Sequence, residues 1–394
     1  MKIGYLKYAY PEQRCIINKL GGVEAKYIFC WEKLAKTRIK GKIRRILTGK
    51  ELGWNALYYD PIFMPSVDIV HTFNHVCEIE EPWVVTFEST VPRTNQTVER
   101  IWEADESIDL RPDRITQKSL DALMKPNCIG LIALSDSAKK IQVEMLRRVN
   151  HIDAEALESK LMVIHPPQDV LVDEEWVHQK YMNMDRRMEF LFIGHDFFRK
   201  GGVQMVETLR RYVDRYGIHL TVVGRLSFEK WGTKKEMEEW EGVLNNEAWI
   251  TWYETLPNDE VLKLCKKAHV GCLPTFQDTY GYSILEMQAC GCPVITTDIR
   301  AIPEINDSSC GWLISLEKNA VGGEAIHYTK EDKKKRKEEL LGGLAQCLEN
   351  IFSHPEQIEQ KALNSLNRIK AFHNPQEYAT KIREVYGRAQ RQVS

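Results

Sequence analysis

No run of apolar residues in this 394-residue chain approaches the ~18 needed to cross a bilayer, so no stretch reads as a membrane-spanning helix. The opening residues, MKIGYLKYAY, lack the apolar core of a secretory signal and read as a first strand. Neither sign of charge dominates. Lys+Arg 54 against Asp+Glu 56 gives a net charge of -2, which excludes a dedicated, strongly basic nucleic-acid binder. The 10 cysteines form no disulfide framework; Cys30, Cys128, Cys265 and Cys272 sit inside apolar runs, as in a reduced, cytosolic protein. Cys290 and Cys292 make a C-x-C pair, but no second pair or histidine cluster completes a zinc site, and both read as small core residues. A D-x-D metal motif is absent, as are internal repeats and low-complexity tracts.

What is present is a two-domain α/β pattern. At roughly 100–200 residues per domain, the length sets two domains as the default. With 43% hydrophobic and 28% charged residues the chain is globular. In the second half, Glu189–Ile193, His219–Val223, Trp249–Tyr253, His269–Pro274 and Pro293–Thr297 are short, nearly continuous apolar runs, the signature of buried parallel strands. Helical patterns separate them, for instance Asp259–Ala268 with Asn258 as N-cap, so this half is a doubly wound domain. The first half alternates less regularly, with strands at Lys2–Leu6, Tyr27–Trp31, Val67–Phe73, Trp83–Phe87, Cys128–Leu134 and Leu161–Ile164. His165-Pro166-Pro167 and the polar stretch Gln168–Arg187 read as an interdomain linker. The expected division is 1–170, 171–373 and a final helix over 374–394, which Pro375 opens at its first position.

Two turns carry chemistry. The first lies within Thr275–Asp298, TFQDTYGYSILEMQACGCPVITTD. It reads as a loop with a carboxylate and a glycine, a short helix with a second carboxylate, a glycine stop and a strand. Asp278 and Glu286 have seven residues between them and flank Gly281. A helix N-terminus offers unpaired N–H groups and a positive dipole end to phosphates, glycine permits close approach, and carboxylates accept from sugar hydroxyls. That set suits a sugar joined to a pyrophosphate. Taken alone, Asp278 is equally a turn residue and Glu286 a solvated helix position. The second turn, Gly194-His195-Asp196-Phe197-Phe198-Arg199-Lys200-Gly201-Gly202, also follows a strand and precedes a helix. Its Arg199 and Lys200 suit a leaving pyrophosphate, although a solvated surface turn has the same composition.

These residues resemble the nucleotide-sugar glycosyltransferases of the GT-B fold, specifically the retaining family 4 (glycosyl transferases group 1). That family's phrase, close to E-G-F-G-L-x-x-L-E-A-M-A-C-G-x-P-V-I, stands here as Asp278-Thr-Tyr-Gly281-Tyr-Ser-Ile-Leu-Glu286-Met-Gln-Ala-Cys-Gly291-Cys-Pro293-Val-Ile. Its G-R-L-x-x-x-K-G turn is similar to Gly194–Gly201, and its proline–glutamate and G-x-L steps to Pro303-Glu304 and Gly311-Trp312-Leu313. The likeness is specific from Phe190 to Leu313. Before that it is softer: Val67-Asp68-Ile69-Val70-His71, Leu134-Ser135-Asp136-Ser137, Val163-Ile164-His165-Pro166.

The resemblance implies two Rossmann-like doubly wound domains facing a cleft, with C-terminal helices returning toward the N-terminal domain. By matching position, Lys200 contacts the diphosphate, Glu286 the ribose hydroxyls and Asp278 the donor sugar. The N–H groups of Gly281, Tyr282 and Ser283 cradle the distal phosphate and sugar. The loop near Tyr253–Leu256 receives the base. The chain departs from the family in three places. Asp278 is shorter by one methylene than the usual glutamate. His195 replaces the phosphate-binding arginine, with Arg199 as the compensating cation. Where relatives end a strand in T-x-H, this chain has Thr86-Phe87-Glu88, and Glu88 either takes that histidine's role or is a plain loop residue.

Between Lys33 and Lys50 lie eight basic residues and no acidic one, with Trp31, Leu34, Ile39, Ile43, Ile46 and Leu47 at roughly helical spacing. Trp31–Lys50 is thus either a basic amphipathic surface for an anionic membrane or an ordinary helix with a solvated basic face. The resemblance favours the membrane, since many relatives act on lipid-linked acceptors. The expected activity is retaining transfer of a sugar from a UDP- or GDP-type donor to a saccharide or lipid-linked acceptor, without metal or cofactor. The expected setting is cell-surface polysaccharide or glycolipid synthesis, in the cytoplasm or at the inner membrane face. An epimerase or phosphorylase on the same fold, or a non-catalytic sugar-nucleotide binder, are the alternatives.

Overall fold

The computed structural model describes the chain outside residues 7–9, 18, 29–57, 60, 62, 94–113, 150–151, 183, 185–186, 228–230, 320–321, 324–328 and 394. The basic segment Trp31–Lys50 therefore lies outside the described residues. The chain divides into two compact units, Met1–Pro167 with Pro375–Ser394, and Gln168–Asn374. Among the described residues no helix is long and apolar enough to cross a membrane.

The first unit is built on a parallel sheet. Its strands are β1 (Lys2–Tyr5), β2 (Glu24–Tyr27), β4 (Ile69–Phe73), β6 (Trp83–Phe87), β7 (Cys128–Ala133) and β8 (Leu161–Val163), in the order β2-β1-β4-β6-β7-β8. A two-residue pair, β3 (Tyr58–Tyr59) with β5 (Val76–Cys77), stands apart from it. β4, β6 and β7 are buried along their whole length, which is why they read as mainly apolar runs, broken only by His71, Thr72 and Thr86. The described part of the second strand lies earlier than the expected Tyr27–Trp31; β2 is an edge strand of half-exposed residues, so it lacks the apolar run that marks a central one. Ser135 caps the helix Asp136–Arg148, its Oγ accepting from the Ala138 N–H at 3.0 Å.

The helix Pro375–Val393 belongs to this first unit and is anchored by a buried polar contact. The Tyr386 hydroxyl lies 2.6 Å from Nδ1 of His71 on β4, whose Nε2 meets Thr86 Oγ1 at 2.7 Å. Burial pushes the His71 pKa down to about 3, so the imidazole is neutral and serves as one donor and one acceptor.

The second unit carries β9 (Met188–Asp196), β10 (Ile218–Arg225), β11 (Ile250–Tyr253), β12 (Val270–Leu273), β13 (Val294–Thr297) and β14 (Gly311–Ile314). All pair in parallel, in the order β11-β10-β9-β12-β13-β14. This is the doubly wound Rossmann arrangement, and the winding reverses between β9 and β12. Phe190, Leu191 and Phe192 put apolar side chains on both faces of the central strand, and all three are buried.

The stretch expected to be a linker is part of this unit instead. It contains the helix Glu174–Met182, which buries Val177 and Tyr181 one turn apart. Its Lys180 sends Nζ to the carbonyls of Ala268 (3.1 Å), Cys290 (3.2 Å) and Gly291 (2.5 Å). A lysine that closes off the C-terminal carbonyls of the helix Tyr282–Ala289 looks, in sequence, like one more polar residue. That same helix is tied to β13 by a buried network. Gln288 Nε2 donates to Asn306 Oδ1 (3.1 Å), and Asn306 Nδ2 donates to the Val294 carbonyl (3.0 Å) and Thr296 Oγ1 (2.8 Å).

Candidate donor-binding site

Open α/β sheets bind ligands outside the carboxyl ends of the strands where the winding reverses. Here those ends are the turn after β9 and the loop after β12, and both expected constellations fall there. His195 and Asp196 are the last residues of β9; His195 is exposed. The chain then turns through Phe197–Gly201 into the helix Gly202–Arg210. Gly201 has φ +77, and a Cβ there would stand 2.0 Å from the Pro274 carbonyl oxygen, so only glycine lets the two loops approach.

Hydrogen bonds and an ion pair strap the two loops together. The Phe276 N–H donates to the Arg199 carbonyl at 3.0 Å. Arg199 Nη1 and Lys200 Nζ both donate to the Gln277 carbonyl, at 2.9 and 3.1 Å. Lys200 Nζ also meets Asp278 Oδ2 at 2.5 Å. Asp196 orients Arg199, accepting from its backbone N–H (3.2 Å) and its Nε (3.1 Å). Trp231 lies flat on Phe276, with ring centroids 4.2 Å apart and planes 6° from parallel. Its indole N–H faces Gln277 Oε1 at 3.4 Å.

Lys200 and Asp278 are nearly shielded from water, with side chains 10% and 14% exposed. Burial alone would raise the Asp278 carboxyl; the Lys200 ammonium outweighs it and holds that carboxyl below its ordinary value. Burial pulls the Lys200 ammonium down against the opposing pull of Asp278. The two form an ion pair. Asp278 Oδ1 also accepts from the Tyr280 N–H at 3.3 Å, which turns the loop toward Gly281.

Gly281, at φ +93, precedes the helix Tyr282–Ala289, whose first N–H groups belong to Tyr282 and Ser283. A Cβ on Gly281 would meet Ile284 Cδ1 at 2.8 Å. Glu286 lies just over one turn into this helix and is 8% exposed, so it is a buried carboxylate rather than a solvated helix position. Asn258 Nδ2 faces its Oε1 at 3.4 Å. Asn258 is the first residue of the helix Asn258–Lys267, preceded by Pro257, and its side chain serves this contact instead of capping its own helix. Tyr253, at the end of β11, is exposed, and Leu256 follows in the same loop half-buried.

The structure thus brings Lys200, Arg199, Asp278, Gly281, Tyr282, Ser283 and Glu286 to one sheet edge. Glu88 belongs to the first unit. It follows β6, donates its N–H to Asn74 Oδ1 at 3.1 Å and sits 3.7 Å from Arg93 Nη1. Sequence reasoning missed Asp196, Trp231, Asn258 and Gln277. Gln277 acts through its backbone carbonyl, which no side-chain motif announces.

Residues 173–339 match the family model of glycosyl transferases group 1. A stretch of 59 residues is 30% identical to O-antigen chain mannosyltransferase B of Escherichia coli, covering 15% of this chain and 16% of the relative. Among solved structures, sucrose-phosphate synthase of Thermosynechococcus elongatus is 14% identical with a TM-score of 0.61, over 100% of both chains. HepE of Anabaena in complex with UDP-glucose is 12% identical with a TM-score of 0.59, over 98% of this chain and 99% of that one. WaaG, a glycosyltransferase involved in lipopolysaccharide biosynthesis, is 14% identical with a TM-score of 0.55, over 96% and 98%. At these identities the structural likeness is one of fold. The chain has the GT-B fold, and residues 173–339 of its second unit resemble the glycosyl transferases group 1 family.

Proposed function

We propose that the protein is a glycosyltransferase that moves a sugar from a UDP- or GDP-type nucleoside diphosphate sugar to a hydroxyl of a saccharide or lipid-linked acceptor. Transfer proceeds with retention and without a metal, in the making of cell-surface polysaccharide or glycolipid. One observation carries this reading: Lys200 and Asp278 meet at 2.5 Å where the sheet winding reverses, beside the glycine-opened helix that bears Glu286. An ammonium and a helix N-terminus are suited to the charge that develops on a leaving diphosphate. Glu286, held by Asn258, accepts from the ribose hydroxyls, and Asp278 from the donor sugar. His195 and Arg199 border the diphosphate, and the loop holding Tyr253 and Leu256 receives the base. Among the described residues no carboxylate is an obvious nucleophile toward the anomeric carbon, which favours front-face substitution.

The relatives support the class of reaction. HepE is known in complex with UDP-glucose, and the pneumococcal O-GlcNAc transferase GtfA in complex with UDP and GlcNAc. WaaG and the O-antigen mannosyltransferase direct the acceptor reading toward surface polysaccharides. An anionic membrane surface meeting Trp31–Lys50 completes the proposal, and sedimentation with anionic vesicles tests it.

The central test is a thermal-shift panel of UDP, GDP, ADP and their sugars. A ligand at 100 times its dissociation constant stabilises by roughly 2.7 kcal/mol. Glu286→Ala and Lys200→Ala should each abolish the shift given by the active donor. If no nucleotide shifts the wild-type protein, or neither substitution alters binding, the reading is wrong. NMR of the product's anomeric proton reads retention, and transfer in EDTA reads metal independence.

A further inference from the structure

The anion site of the second unit holds an anion already, and it is the protein's own. Lys200 Nζ spends one donor on the Gln277 carbonyl at 3.1 Å and another on Asp278 Oδ2 at 2.5 Å. The base of the lysine stem is held in place, so only its ammonium end can change partner. The stem packs so closely over Gly194 that a Cβ there would stand 2.7 Å from Lys200 Cβ and 2.8 Å from its Cγ. Asp278 is fixed from its other side by the Tyr280 N–H on Oδ1. Arg199, the neighbouring cation, has its Nε on Asp196 and its Nη1 on Gln277. Both cations of this turn thus face carboxylates. A carboxylate oxygen and a phosphate oxygen are equivalent acceptors for an ammonium, and two anions on one buried lysine repel each other.

We propose that Asp278 is an internal stand-in for the diphosphate, and that donor binding exchanges Lys200 from Asp278 to phosphate. The inference rests on the donor-site reading above and adds a coupling to it. The diphosphate, by taking Lys200, frees the Asp278 carboxylate for the sugar hydroxyls, so the two halves of the donor are recognised in sequence. After transfer, Asp278 recaptures Lys200 and competes with the departing nucleoside diphosphate. The length of the side chain matters here. An aspartate reaches Lys200 while keeping its turn bond to Tyr280.

The test is isothermal titration of UDP, GDP and ADP into wild-type protein, Asp278→Asn and Asp278→Ala. Asparagine preserves the shape and the acceptor for Tyr280 but removes the competing charge. The nucleoside diphosphate that binds wild type should bind Asp278→Asn at least about tenfold more tightly, about 1.4 kcal/mol. Product inhibition should tighten in parallel while transfer falls. A gain in affinity is diagnostic, since a merely structural lesion weakens binding. Equal or weaker binding by both variants, at unchanged melting temperature, overturns the exchange while leaving the donor site standing. If none of the three nucleotides binds wild type or variant, the donor-site reading fails first and the exchange falls with it.

Discussion

Replacing Gly201 with alanine should uncouple the two loops of the candidate donor site. The backbone there has φ +77, a left-handed conformation that costs an alanine about 1–2 kcal/mol. The new Cβ would also stand 2.0 Å from the Pro274 carbonyl oxygen and 3.1 Å from Leu340 Cδ2. Backbone cannot yield as a flexible side chain can, so the turn after β9 must move away from the loop after β12 by an ångström or more. The contacts first at risk are Phe276 N–H to Arg199 and Lys200 Nζ to Gln277, at 3.0 and 3.1 Å. At about 0.5–1.5 kcal/mol each, with the conformational cost, the loss is about 2–5 kcal/mol. For a unit of this size each kcal/mol lowers the melting temperature by ~2–4 °C, so calorimetry should show a fall of about 10 °C. Misplacement of a positioning group by ~1 Å costs about a hundredfold in rate, so transfer should fall by more than stability alone explains. A drop under about 3 °C with donor affinity within about twofold of wild type would refute the close approach as the cause of the geometry.

Three further outcomes follow from the packing. His71 has its pKa pushed down to about 3 by burial, against an ordinary value of 6.5. Its contribution to stability is therefore complete above pH 6.5 and lost as pH falls toward 3, by up to about 1.4 kcal/mol per pH unit. His71→Asn should flatten that part of the denaturation profile of the first unit, and an unchanged slope would contradict the assignment. Tyr386→Phe removes the partner of His71 Nδ1 and should cost about 1–3 kcal/mol in urea denaturation, with no change in nucleotide binding by the second unit. Trp231→Leu removes the ring that lies on Phe276, should cost about 2–4 kcal/mol, and should raise the KM for donor because Gln277 loses its support. Wild-type KM in a destabilised Trp231→Leu protein would show that the stack does not set the loop.

The second unit was largely legible because its strands are buried on both faces. Phe190–Phe192 and Val270–Leu273 carry no polar side chain beyond a cysteine, so periodicity and composition agree. Gly201 and Gly281 announce themselves because left-handed backbone admits few other residues. Contacts made by backbone or over long separations were not legible. Gln277 gathers Arg199 and Lys200 through its carbonyl, and Trp231 reaches it from 46 residues upstream. Lys180 and Asn258 carried ordinary local signals, a polar linker residue and a helix cap. Their distant partners, the Gly291 carbonyl and Glu286, redirected both. The first unit was less clear because β2 is an edge strand, where no alternation of burial is imposed.

The anchoring of the helix Pro375–Val393 on β4 has a consequence for biosynthesis. Its Tyr386 meets His71 across 315 residues of chain, and all of Gln168–Asn374 is translated between the two. While the ribosome is still making the second unit, His71 lacks the hydroxyl that completes its hydrogen bonds, and the apolar face formed by Tyr378, Ile382 and Val385 has not emerged. Units whose segments are contiguous fold as they appear. The second unit meets that condition and the first does not. The nascent chain should therefore acquire a protease-resistant second unit before its N-terminal portion becomes resistant. A stop codon just before Pro375 should send the first unit, rather than the second, to degradation.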